Sequence, residues 1–255
     1  MRLQLASDLH LEFPENRRFI RKNPLEAAGD ILLLAGDIIP LNAIEQCRDF
    51  FDFAADHYRH TYWVPGNHEY YHNDIADHMD TFQYSVRSNV TLLNNTTITE
   101  DGLNLHFTTL WSAISKNKKP EIERGLSDFH LISYEGRRLT VDVYNQMHAA
   151  SVAFLNKAVS SVRESQSRNV IVTHHVPTFR HYPPKYLGSV LNEAFATGLD
   201  EFIEARGADY WLYGHHHYPA GDFVIGNTKM ITNQLGYVHL YEHGEFNNKK
   251  SFSLS

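Results

Sequence analysis

Five short apolar runs punctuate the chain: Leu3–Ala6, Ile31–Ala35, Thr61–Val64, Val170–Thr173 and Tyr210–Tyr213. Each has the length and composition of a buried strand. The segments between them carry helical spacing. Asn42 with Glu45 three residues on resembles a capping box, and Ile44, Phe50, Phe51 and Ala54 then mark an apolar face. After Thr140, the residues Tyr144, Met147, Phe154, Leu155, Ala158 and Val162 recur at a spacing that fits a 3.6-residue turn. That stripe reads as a core-facing helix surface with no functional role. From Val90 to Trp111 the helical spacing fails, and Leu92-Leu93, Ile98 and Leu105–Leu110 read as successive strands. Phe223–Leu254 also reads as strands, turning at Gly226-Asn227, Gly236 and His243-Gly244. Alternating strand and helix signals followed by strand-rich stretches predict an α/β fold with two packed sheets and helices outside. With no internal repeat, low-complexity segment or linker-like shift, the expectation is one domain over residues 1–255.

The composition is that of an ordinary globular chain, with 42% hydrophobic and 21% charged residues, and 255 residues can bury a sizeable core without staples. The single cysteine, Cys47, excludes a disulfide framework and any Cys-rich zinc module. A net charge of −7 argues against a nucleic-acid binder built on a broad basic surface. The longest purely apolar run, Ile31–Ala35, is far short of the roughly 20 residues that span a bilayer. Met1–Ala6 passes straight into Ser7-Asp8-Leu9-His10 without a leader-like apolar core. A soluble, cytoplasmic protein without membrane contact is the expectation. Histidine is the outlier: 17 imidazoles beside one thiol point to metal chemistry through nitrogen and oxygen ligands.

The polar residues gather where the strands stop. After the first run come Ser7-Asp8-Leu9-His10, after the second Gly36-Asp37, and after the third Pro65-Gly66-Asn67-His68-Glu69. The fourth is followed by His174-His175-Val176-Pro177 and the fifth by Gly214-His215-His216-His217. Ligands in α/β sheets collect outside the carboxyl ends of strands, so five such ends together are hard to explain as surface polarity. Carboxylate, imidazole and amide donors without thiolate suit two divalent cations of the manganese, iron, zinc or nickel kind. The glycines Gly36, Gly66 and Gly214 permit sharp turns and close backbone approach.

These segments resemble the five signature blocks of the calcineurin-like metallophosphoesterases, a superfamily of phosphatases, cyclic-nucleotide phosphodiesterases and Mre-type nucleases. The blocks are Asp8-x-His10, Gly36-Asp37, Gly66-Asn67-His68-Glu69, Thr173-His174-His175 and Gly214-His215-x-His217, in the family's order and across residues 8–217. The resemblance implies a four-layer α/β/β/α sandwich of two mixed sheets flanked by helices. It implies one ion held by Asp8, His10, Asp37 and His217, and a second by Asp37, Asn67, His174 and His215, with Asp37 bridging. His68 would face the substrate phosphate as the catalytic residue, stabilising the transition state or protonating the leaving oxygen.

Two divalent ions, two aspartates and a bridging hydroxide leave about one net positive charge, which draws in an anionic ester. The hydroxide would attack phosphorus in line, so neither Cys47 nor a serine is needed as nucleophile. The lack of a large inserted cap suggests an open site and favours phosphodiesters. Phosphomonoesters are the alternative, and a nuclease or a non-catalytic protein-binding scaffold are lesser ones, since every ligand position and His68 are present. The expected partner is a small phosphate ester, with no oligomeric state implied. His175 and His216 could donate from behind the ligands or wall the pocket, while His106, His130 and His181 read better as structural than as substrate contacts. Aromatic packing is the better reading of Tyr70, Tyr71, Phe179 and Tyr186, and a solvated loop that of Lys116–Lys119. Ser112–Tyr134 stands out by position as a substrate-selecting insertion.

Overall fold

Each of the five apolar runs is a strand in the computed structural model, which describes residues 1–161, 167–218 and 220–254. The first sheet contains β1 (Arg2–Ala6), β2 (Ile31–Ala35), β3 (His60–Val64), β4 (Phe82–Arg87), β5 (Val90–Asn94) and a C-terminal strand, Ser251–Ser253. The second contains β6 (Thr96–Glu100), β7 (Leu103–Thr108) and, after a small ribbon of β8 (Ser133–Tyr134) and β9 (Arg137–Arg138), four more strands. These are β10 (Arg168–Thr173), β11 (Tyr210–Tyr213), β12 (Phe223–Ile225) and β13 (Thr228–Thr232), and Ser251–Ser253 is β14. The sheet orders are β14-β1-β2-β3-β5-β4 and β12-β13-β11-β10-β7-β6. Interior neighbours run parallel, and β14, β4, β12 and β6 pair antiparallel at the edges.

The apolar runs are unbroken because both faces of these strands are covered. Leu3, Leu5, Ile31, Leu33 and Val64 point inward and meet Leu105, Phe107, Val170, Val172 and Leu212 of the other sheet. Their alternates Leu32, Leu34 and Trp63 face outward onto α1 (Pro14–Lys22) and α2 (Arg48–His57). Two short helices, α3 (Lys119–Gly125) and α4 (Asp128–Leu131), lie in the Ser112–Tyr134 segment. On the far side, Ile171, Trp211 and Met230 are covered by α5 (Val141–Ser161) and α6 (Asp200–Arg206). The result is two mixed six-stranded sheets flanked by helices, the architecture the family blocks imply. No helix among the described residues is long and apolar enough to cross a membrane.

The structure departs from the sequence reading in three places. Asn42 and Glu45 make no capping box: both lie inside a 3₁₀ segment, Leu41–Cys47, closed at its start by Ala43 N–H to the Pro40 carbonyl, and α2 begins only at Arg48. Residues 236–250 are not strand; Val238–Leu240 and Glu242–Glu245 are short 3₁₀ turns that fold over the carboxyl ends of the sheets. The long helix follows the predicted stripe through Ala158, whereas Val162 lies outside the described residues.

Candidate metal centre

The parallel strands deliver their polar ends to one place, and the backbone there is strained. Asp8 (φ 54°), His10 (46°), Asp37 (54°), His215 (81°) and His217 (44°) all occupy the left-handed region. Such φ values are rare outside glycine and cost about 1–3 kcal/mol each where surroundings impose them. Here the surroundings do: Asp8 N–H donates to the Gly36 carbonyl and His10 N–H to the Asp37 carbonyl, both at 2.9 Å. His215 N–H donates to Asp8 Oδ1 at 2.9 Å and His217 N–H to Gln234 Oε1 at 2.6 Å. The turns therefore lock one another, and each aims its side chain inward.

Asp8, His10, Asp37 and His217 form one cluster, each offering a ligand atom within 4.8 Å of the others. His10 Nδ1–H is bound to Glu12 Oε1 at 3.1 Å and His217 Nδ1–H to Glu242 Oε2 at 2.8 Å. Both Nε2 atoms therefore present lone pairs, yet they face each other at 2.9 Å. Two acceptors at that distance need a positive charge between them. Burial works against protonating His217, but Asp8 and Glu242 outweigh it and lift its pKa to about 10.

Asp37, His174 and His215 form the second cluster under the same 4.8 Å limit. His174 Nδ1–H donates to the Ala35 carbonyl at 2.9 Å, which turns its Nε2 lone pair inward. That Nε2 lies 3.1 Å from Asn67 Oδ1, 3.4 Å from Asp37 Oδ1 and 3.0 Å from His215 Nδ1. Asn67 is oriented by its amide, which donates to Asp128 Oδ1 at 2.9 Å and leaves the carbonyl oxygen facing the cluster. Burial opposes a charge on His174, while Asp37 and Asp8 raise its pKa to about 9. Asp37 reaches both clusters: Oδ1 faces His174, and Oδ2 lies 3.7 Å from His10 Nε2. Buried Asp8 Oδ2 and His215 Nε2 have no hydrogen-bond partner. Convergent acceptors and orphaned polar atoms fit two divalent cations sharing one carboxylate.

Two glycines make this convergence sterically feasible. A side-chain carbon at Gly66 would collide with Asp37 Oδ1 and His174 Nε2, and one at Gly36 with the His174 ring. Glu69 belongs to the same block but to neither cluster. Its carboxylate collects N–H groups from Ile38 at 2.6 Å, Gly66 at 2.6 Å and Asp37 at 2.9 Å, and the Trp63 indole at 3.2 Å. It ties the turns after β2 and β3 together, against burial beside Asp37 that raises its pKa to about 8.

His68 borders a cavity of about 270 Å³ that also contains Tyr71, Asp128 and Tyr237. Its Nδ1–H is bound to Glu12 Oε1 at 2.8 Å, and its Nε2 lies 3.3 Å from the Tyr237 hydroxyl. Burial opposes its charge, but Asp37 and Glu12 raise its pKa overall. Glu12 itself, buried yet held by His10 and His68, falls to about 2. Sequence reasoning missed Glu12, Tyr237 and Glu242, and reached Asp128 only as part of the Ser112–Tyr134 segment. Glu12 carried a signal in the alternating spacing Asp8-x-His10-x-Glu12. Tyr237 and Glu242 carried none, because they arrive on the 3₁₀ turns read as strand.

The remaining histidines divide by contact. His175 is buried behind His215, its ring 4.1 Å from that imidazole and its Nε2 2.9 Å from the Tyr144 hydroxyl. His216 is held by Gln234, His106 pairs with Thr97, His130 binds the Arg124 carbonyl and His181 lies against Phe223. Tyr71 and Tyr186 line the cavity, Tyr70 packs on Trp111, and Phe179 is largely exposed. Lys119 of the basic run is occupied by Asp142 at 2.7 Å. Leu126, Ser127 and Asp128 of the inserted segment do reach the cavity wall.

Comparison with known proteins agrees with this geometry. An uncharacterised protein of Acanthamoeba polyphaga mimivirus is 31% identical over 96% of this chain and 94% of its own length. An uncharacterised metallophosphoesterase of Helicobacter pylori is 25% identical over 83% of this chain, which spans only 55% of that longer relative. The crystal structure of phosphopantetheinyl hydrolase from Mycobacterium tuberculosis shares the fold, with a TM-score of 0.69, 18% identity, and coverage of 95% of this chain and 92% of that one. Residues 1–219, which include all five strand ends, match the family of calcineurin-like phosphoesterases. This chain belongs to that family of metal-dependent phosphate-ester hydrolases.

Proposed function

We propose that this chain hydrolyses small phosphate esters, diesters in preference to monoesters, at two neighbouring divalent cations. Asp8, His10, Asp37 and His217 hold one ion, and Asp37, Asn67, His174 and His215 hold the other. The observation that carries this reading is the pair of acceptor clusters meeting at Asp37. Bound ions of the manganese, iron, zinc or nickel kind would supply Lewis acidity and lower the pKa of a water.

The chain's own residues do the rest. The carboxylates of Glu12 and Glu242 hold His10 and His217 in the tautomer that exposes Nε2, and thereby fix ring orientation. His68, pinned through Nδ1 to Glu12, turns Nε2 to the cavity, where in its protonated form it donates to the leaving oxygen or to developing charge on the phosphoryl group. Tyr71 packs on the His68 ring at 4.1 Å and limits its rotation. A cavity of about 270 Å³ suits a phosphate carrying two small substituents.

The test is an activity grid. Apo-protein is reloaded with Mn²⁺, Fe²⁺, Zn²⁺ or Ni²⁺ and given aryl monoesters, aryl diesters, cyclic nucleotides and a phosphopantetheinyl ester, the class for which the mycobacterial neighbour is named. Metal-dependent turnover that is fastest on diesters is the expected result. A monoester preference would overturn the diester assignment, and silence across the grid would overturn catalysis.

A further inference from the structure

Beside the cavity of the metal ligands lies a smaller pocket of about 120 Å³, walled by Tyr182, Tyr186, Leu191, Asn192 and Phe195, with Ser189 at its edge. Tyr186 and Phe195 belong to both cavities. The Phe195 ring stacks on the His215 imidazole with centroids 4.7 Å apart, so the partition between pocket and ligand cluster is one aromatic layer. Three of the polar side chains around the pocket are already engaged. The Tyr182 hydroxyl donates to Asn192 Oδ1 at 3.4 Å, the Asn192 amide donates to the Tyr186 carbonyl at 2.7 Å, and Ser189 Oγ accepts from Leu191 N–H at 3.3 Å. What faces the interior is mostly carbon, and no charged side chain lines it.

From this arrangement we infer that the side pocket receives an apolar substituent of the substrate ester, a single aromatic ring or a short alkyl chain. The inference rests on the phosphoesterase reading above and names the substrate class for that site. Size and polarity both bear on the assignment. An apolar cavity of about 150 Å³ holds benzene, so one of about 120 Å³ takes a small ring or a few methylenes and excludes a nucleoside. A polar group entering it would lose water and gain little in return from so apolar a lining. The phosphoryl group stays at the ligand cluster, and the ester's carbon arm passes the edge shared by Tyr186 and Phe195.

The experiment measures inhibition by methyl-, ethyl-, propyl-, phenyl- and 1-naphthylphosphonate against hydrolysis of bis(p-nitrophenyl) phosphate by the Mn²⁺-loaded protein. The inhibition constant should fall about threefold to fourfold per methylene, reach its minimum at phenyl and rise again at naphthyl. Ser189→Trp, which narrows the pocket from an exposed position, should weaken phenylphosphonate at least tenfold more than methylphosphonate. Crystals of the metal-free protein soaked in bromobenzene should show anomalous bromine density between Tyr186 and Phe195. A flat inhibitor series with intact turnover would overturn the pocket assignment and leave the phosphoesterase reading standing. If no metal form turns over the reporter, that reading fails, and the bromobenzene soak still decides the pocket: density elsewhere, or none, overturns it.

Discussion

Glu12 holds His68 by a 2.8 Å hydrogen bond from the imidazole Nδ1–H, and the same carboxylate oxygen lies 3.1 Å from His10 Nδ1. One oxygen thus orients both the group proposed to donate a proton and a proposed metal ligand. Glu12→Gln preserves shape but weakens the acceptor, so both rings lose their anchor together. Loss of such an orienting group typically costs 10–100-fold in metal affinity or activity. The expected outcome is a lower kcat together with weaker occupancy of the ion at His10, checked by steady-state kinetics and elemental analysis. A variant with wild-type kcat and metal content would show that the shared hydrogen bond has no functional weight.

His68→Ala separates the two roles. Removing the imidazole leaves all seven proposed ligands, Asp8, His10, Asp37, Asn67, His174, His215 and His217, in place, so both ions should remain while turnover falls on the order of 10²–10⁴, the range for a positioned acid–base group. Metal loss in this variant would instead make His68 part of the coordination framework.

Asp37→Asn addresses the shared carboxylate. Its two oxygens face different clusters, so neutralising them should reduce occupancy of both ions, whereas His174→Ala should empty mainly the second. Parallel metal analysis of the two variants distinguishes them. Equal single-ion losses would mean that Asp37 serves one ion alone.

The proposed ligands were legible in the sequence because each follows directly on an apolar strand, and parallel strands deliver their carboxyl ends to one edge. The five runs, β5–β7 and α5 could be read for the same local reason. Tyr237 and Glu242 could not: they stand on a turn more than 200 residues from His10 in sequence, and their place over the site is set by packing of the turn against α1. The left-handed φ values at Asp8, His10, Asp37, His215 and His217 were equally hidden, since nothing in a residue's type says that its neighbours will impose that conformation. Asn42 and Glu45 show the reverse error, a local capping pattern overridden when the chain tightened into a 3₁₀ segment.

Gly66 gives a steric test of the same convergence. Gly66→Ala would push a methyl group into Asp37 Oδ1 and His174 Nε2, two rigidly held atoms rather than flexible side-chain ends. Metal binding at the second cluster should be lost, with little recovery by local adjustment. Gly102→Ala is the control: its φ of +75° makes alanine cost about 1–2 kcal/mol, but nothing lies within 4 Å of the added carbon. It should lower the melting temperature and leave metal content unchanged. Full metal binding by Gly66→Ala would contradict the close approach of the turn after β3.

Cys47 tests the packing behind the site rather than the site itself. It sits just before α2 with 2% exposure, its Sγ 3.9 Å from the Leu11 carbonyl, in the cluster that backs the first sheet. Burial pushes its thiol up to about 11, against about 8.5 for a free cysteine. The native thiol therefore stays protonated at pH 8, where the unfolded chain already forms thiolate. Between about pH 8.5 and 11 the unfolded state sheds this proton more readily than the native one, so this group's contribution to stability declines as pH rises through that window. Iodoacetamide at pH 8 should leave the native protein unmodified for hours and label it once, within minutes, in guanidinium chloride, as read by intact mass. Rapid single labelling of the native protein would place Cys47 at an accessible surface and remove the packed layer beneath α2.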